Sequence, residues 1–110
     1  MSVQVSLSFY ESSGRWCMDV IDASESTYAQ FDARGLQGGG YTWEGIVRAL
    51  VESHLPGALP HLDIGAEADN MHAYATSREL LEQVAELVRR VDRDPTLLVA
   101  AIEAAGEDLE

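Results

Sequence analysis

The sequence predicts an α+β fold, in which a four-stranded antiparallel sheet of ββαββαα order has its helices packed on one face. Two pairs of short segments alternate apolar and polar side chains, which is the period of a half-buried strand. Three other segments repeat their apolar side chains every three to four residues, which is the period of a helix. Because a lone hairpin cannot bury its apolar side, the two hairpins should join in one sheet beneath the helices.

The first hairpin is predicted at the start of the chain. Val3 to Tyr10 alternate strictly, Glu11 to Gly14 supply turn residues, and Trp16 to Ile21 alternate again. The next twenty residues, 22–41, are mostly polar and end in three consecutive glycines. They predict a long loop, and long loops in small domains are often functional.

A helix and the second hairpin follow. Thr42 is a plausible N-cap for a helix whose apolar stripe ends before Pro56. Two short strands are then predicted near His61 to Gly65 and near Met71 to Ala75, joined by the turn-like Ala66 to Asn70.

Two helices complete the prediction. Thr76 and Glu79 have the spacing of a capping box, ahead of an apolar helical stripe that runs to Val91. Asp94 followed by Pro95 should open the last helix, and Gly106 should end it. At 110 residues the chain has the usual length of one domain, so we expect residues 1–110 to form a single unit with one core.

Charge is the strongest compositional signal. Nineteen acidic residues face seven basic ones, all arginine, for a formal net charge of −12. Such a field repels nucleic acid and anionic lipid and speeds encounter with basic partners, although acidity that serves only solubility remains an alternative. Neither a membrane-spanning segment nor a signal peptide is apparent, and the lone Cys17 cannot form an internal disulfide. We therefore expect a cytoplasmic protein that binds neither nucleic acid nor membrane.

Catalytic and metal-binding motifs are weak in this sequence. Cys17 has no basic neighbour except Arg15, so an inert thiol is favoured over an activated nucleophile. Four side chains of the second predicted hairpin could converge on a metal ion: His61, Asp63, Asp69 and His72. No helix-borne histidine pair or paired-cysteine motif supports that reading. The sequence thus favours a protein without enzymatic activity, metal or cofactor.

The glycine run before the first long helix has two interpretations. Exposed amides at a helix start attract phosphate, but neither known glycine-rich phosphate motif fits, and the chain contains no lysine. The favoured interpretation is structural: Gly38 and Gly40 take the chain tightly into the helix, while Tyr41 and Trp43 pack around the bend.

A family resemblance rests on these same residues. Gly38-Gly39-Gly40-Tyr41-Thr42-Trp43-Glu44 opens an amphipathic helix, and Leu62-Asp63-Ile64 and Met71-His72-Ala73-Tyr74-Ala75-Thr76 precede another. Over roughly residues 35–92 this arrangement resembles the immunity protein 51 family of bacterial polymorphic-toxin immunity proteins. The resemblance implies a protein made beside a toxin gene that binds the toxin domain and protects the producing cell. The resemblance identifies no catalytic residue in this chain.

The resulting hypothesis is an immunity protein that neutralises a cognate toxin by occlusion. Many such toxins are nucleases, whose basic clefts would be complementary to an acidic inhibitor. The candidate partner-facing carboxylates are Asp19, Asp22, Glu25, Asp32, Asp63, Glu67 and Asp69. Two alternatives stay open: a homodimeric regulatory or structural protein that pairs through its last helix, and a small ligand- or metal-binding enzyme. The protein itself would be a monomer or a homodimer.

Overall fold

The computed structural model describes residues 2–106 and confirms the predicted α+β class and ββαββαα order. Four antiparallel strands form one sheet: β1 (Gln4–Tyr10), β2 (Arg15–Ile21), β3 (Asp63–Ala66) and β4 (Asn70–Ala75). Four α-helices accompany them: α1 (Glu25–Ala33), α2 (Gly40–His54), α3 (Arg78–Arg93) and α4 (Pro95–Ala105). Their order in the sheet is β1-β2-β4-β3, so the two hairpins meet where β2 pairs with β4.

The alternation of the strands gives the sheet two different faces. On one face Met18 and Val20 of β2 and Met71 and Ala73 of β4 are buried in the main core, against α2 and α3. Val5 and Leu7 of β1 extend this face and are partly buried. The opposite face carries the intervening side chains of the strands, and no described helix covers it.

α4 forms an outer layer. It packs across α2 and α3, burying Leu98, Ala101 and Ile102, and α1 contacts it from the side. Asp94 caps α4 by accepting hydrogen bonds from the backbone amides of Thr96 and Leu97, and Gly106 ends the helix with a φ of 55°. Both predicted ends of this helix are therefore confirmed.

The buried carboxylate of Asp92 joins three parts of the chain. It lies near the end of α3 with 4 % of its surface exposed. Its two oxygens accept hydrogen bonds from the backbone amides of Val3 and Ser24, each at 2.9 Å. The Asp92 carbonyl also accepts from the Thr27 hydroxyl of α1 at 3.3 Å. One side chain thus fixes the segment before β1 and the start of α1 on α3.

The prediction of a loop over residues 22–41 was wrong, because α1 lies within it. Ser24 is the N-cap, and its hydroxyl accepts a hydrogen bond from the Thr27 amide at 3.2 Å. α1 buries only Thr27 and Phe31, so the sequence shows no apolar stripe there. A short helix held by a cap and two buried residues gives almost no periodic signal.

Three predicted boundaries were also wrong, by one to three residues. α2 begins at Gly40 with Gly39 as its N-cap, and Thr42 lies buried inside the first turn. Ser77, not Thr76, caps α3, with its hydroxyl accepting from the Leu80 amide at 3.1 Å. His61 ends a short 3₁₀ turn, Leu59–His61, because Pro60 favours a helical turn over a strand, and β3 begins only at Asp63.

Replacement of the buried carboxylate should destabilise the fold. In Asp92→Asn one of the two oxygens becomes an NH₂ group that faces a backbone donor, so one buried amide loses its acceptor. We expect the free energy of unfolding to fall by about 2 kcal/mol, measured by urea denaturation. Asp94→Asn is the matched control, since asparagine caps helices as well as aspartate, and should change stability by less than about 0.5 kcal/mol. Equal effects of the two substitutions would contradict the assigned role.

Candidate functional site

The glycine run packs directly on the turn between β3 and β4. The Gly40 amide donates a hydrogen bond to the Ala68 carbonyl at 3.0 Å. A Cβ atom on Gly39 would collide with that carbonyl oxygen, and one on Gly40 would collide with the carbonyl oxygens of Glu67 and Asn70. Side chains are therefore excluded at both positions by the neighbouring backbone, which supports the structural interpretation of the run.

Trp43 lies where α2 leaves this run. The indole is buried, with 1 % of its surface exposed, and its ring meets Phe31 of α1 edge-on at 5.8 Å. Its Nε1–H has no hydrogen-bond acceptor among residues 2–106. Tyr41, two residues earlier, is 46 % exposed, so of the two aromatic residues only Trp43 packs inside the bend.

A cleft of about 520 Å³ opens between these elements. Its walls come from the end of β2, from α1, from the glycine run and from the β3–β4 turn. The lining residues are Ile21, Asp22, Tyr28, Gln37, Gly38, Gly39, Trp43, Ala68 and Asp69. Asp22 has a φ of 62°, a left-handed conformation that is uncommon for residues other than glycine. Such backbone strain is often found at functional sites.

The cleft is acidic. Asp22 and Asp69 contribute carboxylates, no basic residue lines it, and neither carboxylate forms an ion pair within the described part of the chain. Partial burial raises the pKa of Tyr28, and the carboxylates of Asp22 and Asp92 raise it further. The field in this region therefore favours bound protons and cations.

A second groove, of about 390 Å³, adjoins the cleft along α1. Tyr28 and Gln37 line both, and Glu25 and Asp32 add two further carboxylates without any basic side chain. Cleft and groove together place four of the seven predicted partner-facing carboxylates on one side of the molecule.

The other three carboxylates line neither the cleft nor the groove. Glu67 is exposed in the β3–β4 turn, while Asp19 and Asp63 lie on the uncovered sheet face. Asp63 pairs with Arg15 at 3.2 Å, and Asp19 accepts a hydrogen bond from the Asn70 amide group at 3.3 Å. These two carboxylates are already neutralised or hydrogen-bonded within the chain.

An aromatic and cationic cluster occupies the centre of the uncovered face. Tyr74 of β4 has the Arg15 guanidinium over its ring at 4.7 Å, with Tyr10 and His72 edge-on at 5.9 and 5.5 Å. Tyr74 thus belongs to the sheet surface, and the resemblance noted from the sequence gave no sign of these neighbours.

Sequence reasoning did not find Ile21, Tyr28, Gln37 or Ala68 as parts of the cleft. Tyr28 was the one with a usable signal, as a large aromatic residue in a mostly polar segment. Its position depends on α1, which the apolar pattern does not reveal.

The four residues considered for a metal site do not assemble one. His61 lies in the 3₁₀ turn, outside β3, so it does not share with Asp63 the strand that was predicted near His61 to Gly65. Among residues 2–106 no three histidine, cysteine, aspartate or glutamate side chains are grouped so that they could hold a metal ion. Over the same residues, no helix combines the length and the apolar character that crossing a bilayer requires.

The fold and the site together define a small acidic α+β protein with one bare sheet face and an acidic cleft at its edge. The family model for immunity protein 51 matches residues 5–107, and the chain belongs to that family. The match covers more of the chain than the motifs recognised in the sequence, and it includes nearly all of β1 and all of α4. Neither the curated proteins nor the solved structures include a match.

The close contact of the glycine run can be tested by adding a methyl group. Gly40→Ala should lower the free energy of unfolding by about 3 kcal/mol, the upper end of the usual cost of overpacking, because backbone atoms of the β3–β4 turn must move. Gly35→Ala, at φ 69° with open space around it, should cost only about 1 kcal/mol of backbone strain. Thermal unfolding of both variants measures the difference, and a harmless Gly40→Ala would refute the close contact.

The pH dependence of stability should reflect Cys17. Burial raises the pKa of this thiol, and the Asp19 carboxylate beside it raises the pKa further. The folded state therefore favours the protonated thiol. Its contribution to the free energy of unfolding is fully present below the pKa of the unfolded thiol, about 8.5, and is lost as the pH rises towards the pKa of the folded thiol. We expect the urea midpoint to fall between pH 8 and pH 10 more steeply in the native chain than in Cys17→Ser. Parallel declines would show that the thiol is not responsible.

Proposed function

We propose that the chain is an immunity protein that binds a cognate bacterial toxin domain and neutralises it by occlusion. Membership of the immunity protein 51 family is the observation that carries this proposal. We infer that residues 1–110 act as one domain in the cytoplasm of the producing cell, as a monomer or a homodimer. Inhibition by occlusion needs a complementary surface, and it needs no nucleophile, metal or cofactor.

The charge distribution supports a basic partner. The chain has a formal charge of −12, and its cleft and groove hold four carboxylates with no cation among the lining residues. Opposite charge accelerates encounter and disfavours wrong partners. A nuclease must attract phosphate and so presents a basic site, which makes a nuclease toxin the class best matched to this surface.

The position of the carboxylates narrows the binding face. Asp22 and Asp69 face a cleft without internal ion pairs, whereas Asp63 is paired with Arg15 on the sheet. An unpaired carboxylate has more to gain from a partner's cation than one that must first give up its own. We therefore place the centre of the toxin-binding surface at the cleft, with Glu25 and Asp32 along its side and Asp19 and Glu67 at its margin.

The double variant Asp22→Asn/Asp69→Asn tests this placement. It removes two charges from the cleft, so we expect affinity for the toxin encoded by the neighbouring gene to fall at least ten-fold, about 1.4 kcal/mol. The dependence of affinity on salt should become shallower at the same time, because fewer charges interact across the interface. Titration calorimetry at two ionic strengths measures both effects, and survival of cells that co-express the toxin gives the biological readout.

Glu52→Gln/Glu103→Gln is the matched control. It removes the same number of charges from exposed positions, one near the C-terminal end of α2 and one on α4. Affinity should change by less than a factor of about three if the cleft is the centre of binding. Equal losses in the two double variants would mean that only net charge matters, and an absence of protection by the native chain would refute the immunity function itself.

A further inference from the structure

We propose that β1 is an interface between two copies of this chain, which pair antiparallel and join their sheets into one of eight strands, four from each copy. β1 lies at one edge of the sheet and pairs only with β2. Its sequence is self-complementary in this arrangement, and opposite charges lie at its two ends. The inference goes beyond the proposed function, because it does not depend on the toxin and selects the homodimer.

The two edges of the sheet differ in their protection against pairing. β3, at one edge, has four residues and includes the charged Asp63. Shortness and charge are common ways in which proteins protect an edge strand. β1, at the other edge, has seven residues with no charge, proline or glycine, although the whole chain has a formal charge of −12. An edge strand of that length without protection is a template for another strand.

The backbone groups that β1 presents at this edge follow from its hydrogen bonds. Two amides of the β1–β2 turn donate to the Tyr10 carbonyl, so this carbonyl points towards β2. Successive residues of a strand direct their backbone groups to alternate sides. Val5, Leu7 and Phe9 therefore point away from β2. The Val5 carbonyl agrees with this direction, since it accepts a hydrogen bond from the Arg89 side chain of α3 at 3.5 Å.

An antiparallel pair centred on Leu7 matches like side chains across the interface. Leu7 then lies opposite Leu7 of the second copy, and Val5 lies opposite Phe9. On the uncovered face Ser6 lies opposite Ser8. The outward backbone groups form up to about six hydrogen bonds, two at each apolar pair. A register shifted by one residue would set outward groups against inward ones, so the strand specifies a single pairing.

The exposed ring of Phe9 has a place in this pair. Phe9 is 48 % exposed, the highest value among the large hydrophobic side chains of residues 2–106. Its ring contacts Trp16 of β2 at 5.1 Å, while its other side faces the open edge of the sheet. Val5 of the second copy covers that side. The removal of apolar surface from water is the main driving force of protein association.

Charges at the two ends of β1 are complementary in the same arrangement. Arg89 lies beside Val5, and Glu11 directly follows the strand at its other end. Neither forms an ion pair within residues 2–106. The two-fold axis brings the start of one strand to the end of the other, so each Arg89 approaches Glu11 of the second copy. These two contacts offset part of the repulsion between two acidic chains.

The interface is separate from the proposed toxin-binding surface. No residue of β1 lines the cleft or the adjoining groove. A dimer formed through β1 therefore keeps both sets of lining residues out of its own interface, and dimerisation and toxin binding can be measured independently.

Engineered disulfides test the register. In a Cys17→Ser background, Ser6→Cys/Ser8→Cys sets thiols directly opposite each other, with Cα atoms about 4.5 Å apart and within disulfide range. Either substitution alone leaves the two thiols on a diagonal, about 7–8 Å apart and beyond that range. We expect mild oxidation to link the double variant, and an equal mixture of the two single variants, into dimers. Each single variant by itself should stay unlinked.

Light scattering over a concentration series up to about 1 mM measures dimerisation of the full chain. We expect the native chain to rise from the mass of one copy to that of two. Arg89→Glu and Glu11→Arg each place like charges together, so each should weaken the dimer at least about five-fold. The double variant Glu11→Arg/Arg89→Glu should restore the native affinity to within a factor of about three. Urea denaturation of each variant confirms that it is folded.

Glu11→Arg separates local pairing from net charge. It lowers the formal charge from −12 to −10 (−12 + 2), so net charge alone predicts a tighter dimer, whereas the proposed interface predicts a weaker one. A tighter dimer would therefore overturn the proposal. So would a native chain that stays monomeric throughout the series, or a dimer whose Ser6→Cys/Ser8→Cys variant does not cross-link. Protection of cells against the toxin is a separate readout, and its absence would leave the β1 interface standing.

Discussion

The buried carboxylate of Asp92 is the constraint on which the site depends. A carboxylate near the C-terminal end of a helix opposes the helix dipole, and burial adds a desolvation cost. Two backbone amides at 2.9 Å offset both costs by binding its two oxygens. One of them belongs to Ser24, the N-cap of α1, so the same contact that anchors the sheet to α3 also positions the helix that forms one side of the cleft.

The opposite side of the cleft depends on the absence of side chains. Gly39 and Gly40 lie so close to the backbone of the β3–β4 turn that no Cβ atom fits at either position. This contact brings Asp69 of the turn to the same cleft as Asp22, although 47 positions separate them in sequence (69 − 22). A carboxylate pair that looks scattered in the chain is thereby assembled by a glycine run that carries no charge itself.

The sequence was informative wherever burial imposed a period. The strand alternation and the stripes of α2, α3 and α4 each bury a continuous row of side chains, so both the elements and their order could be predicted. α1 could not be predicted, because a helix that buries only Thr27 and Phe31 has no continuous row of apolar side chains in its sequence. The cleft was hidden for the same reason, since Tyr28 reaches it from α1. Asp92 gave no signal either, because its partners are backbone amides far away in the chain.

Net charge and local geometry act at different ranges, and this explains why composition pointed to a binding function without locating the site. A charge of −12 attracts a basic partner over distances up to about a Debye length, wherever the carboxylates lie. One basic protein is distinguished from another only at contact. There an unpaired carboxylate gains a cation from the partner, whereas a paired one, such as Asp63 with Arg15, must first give up the cation that it already has.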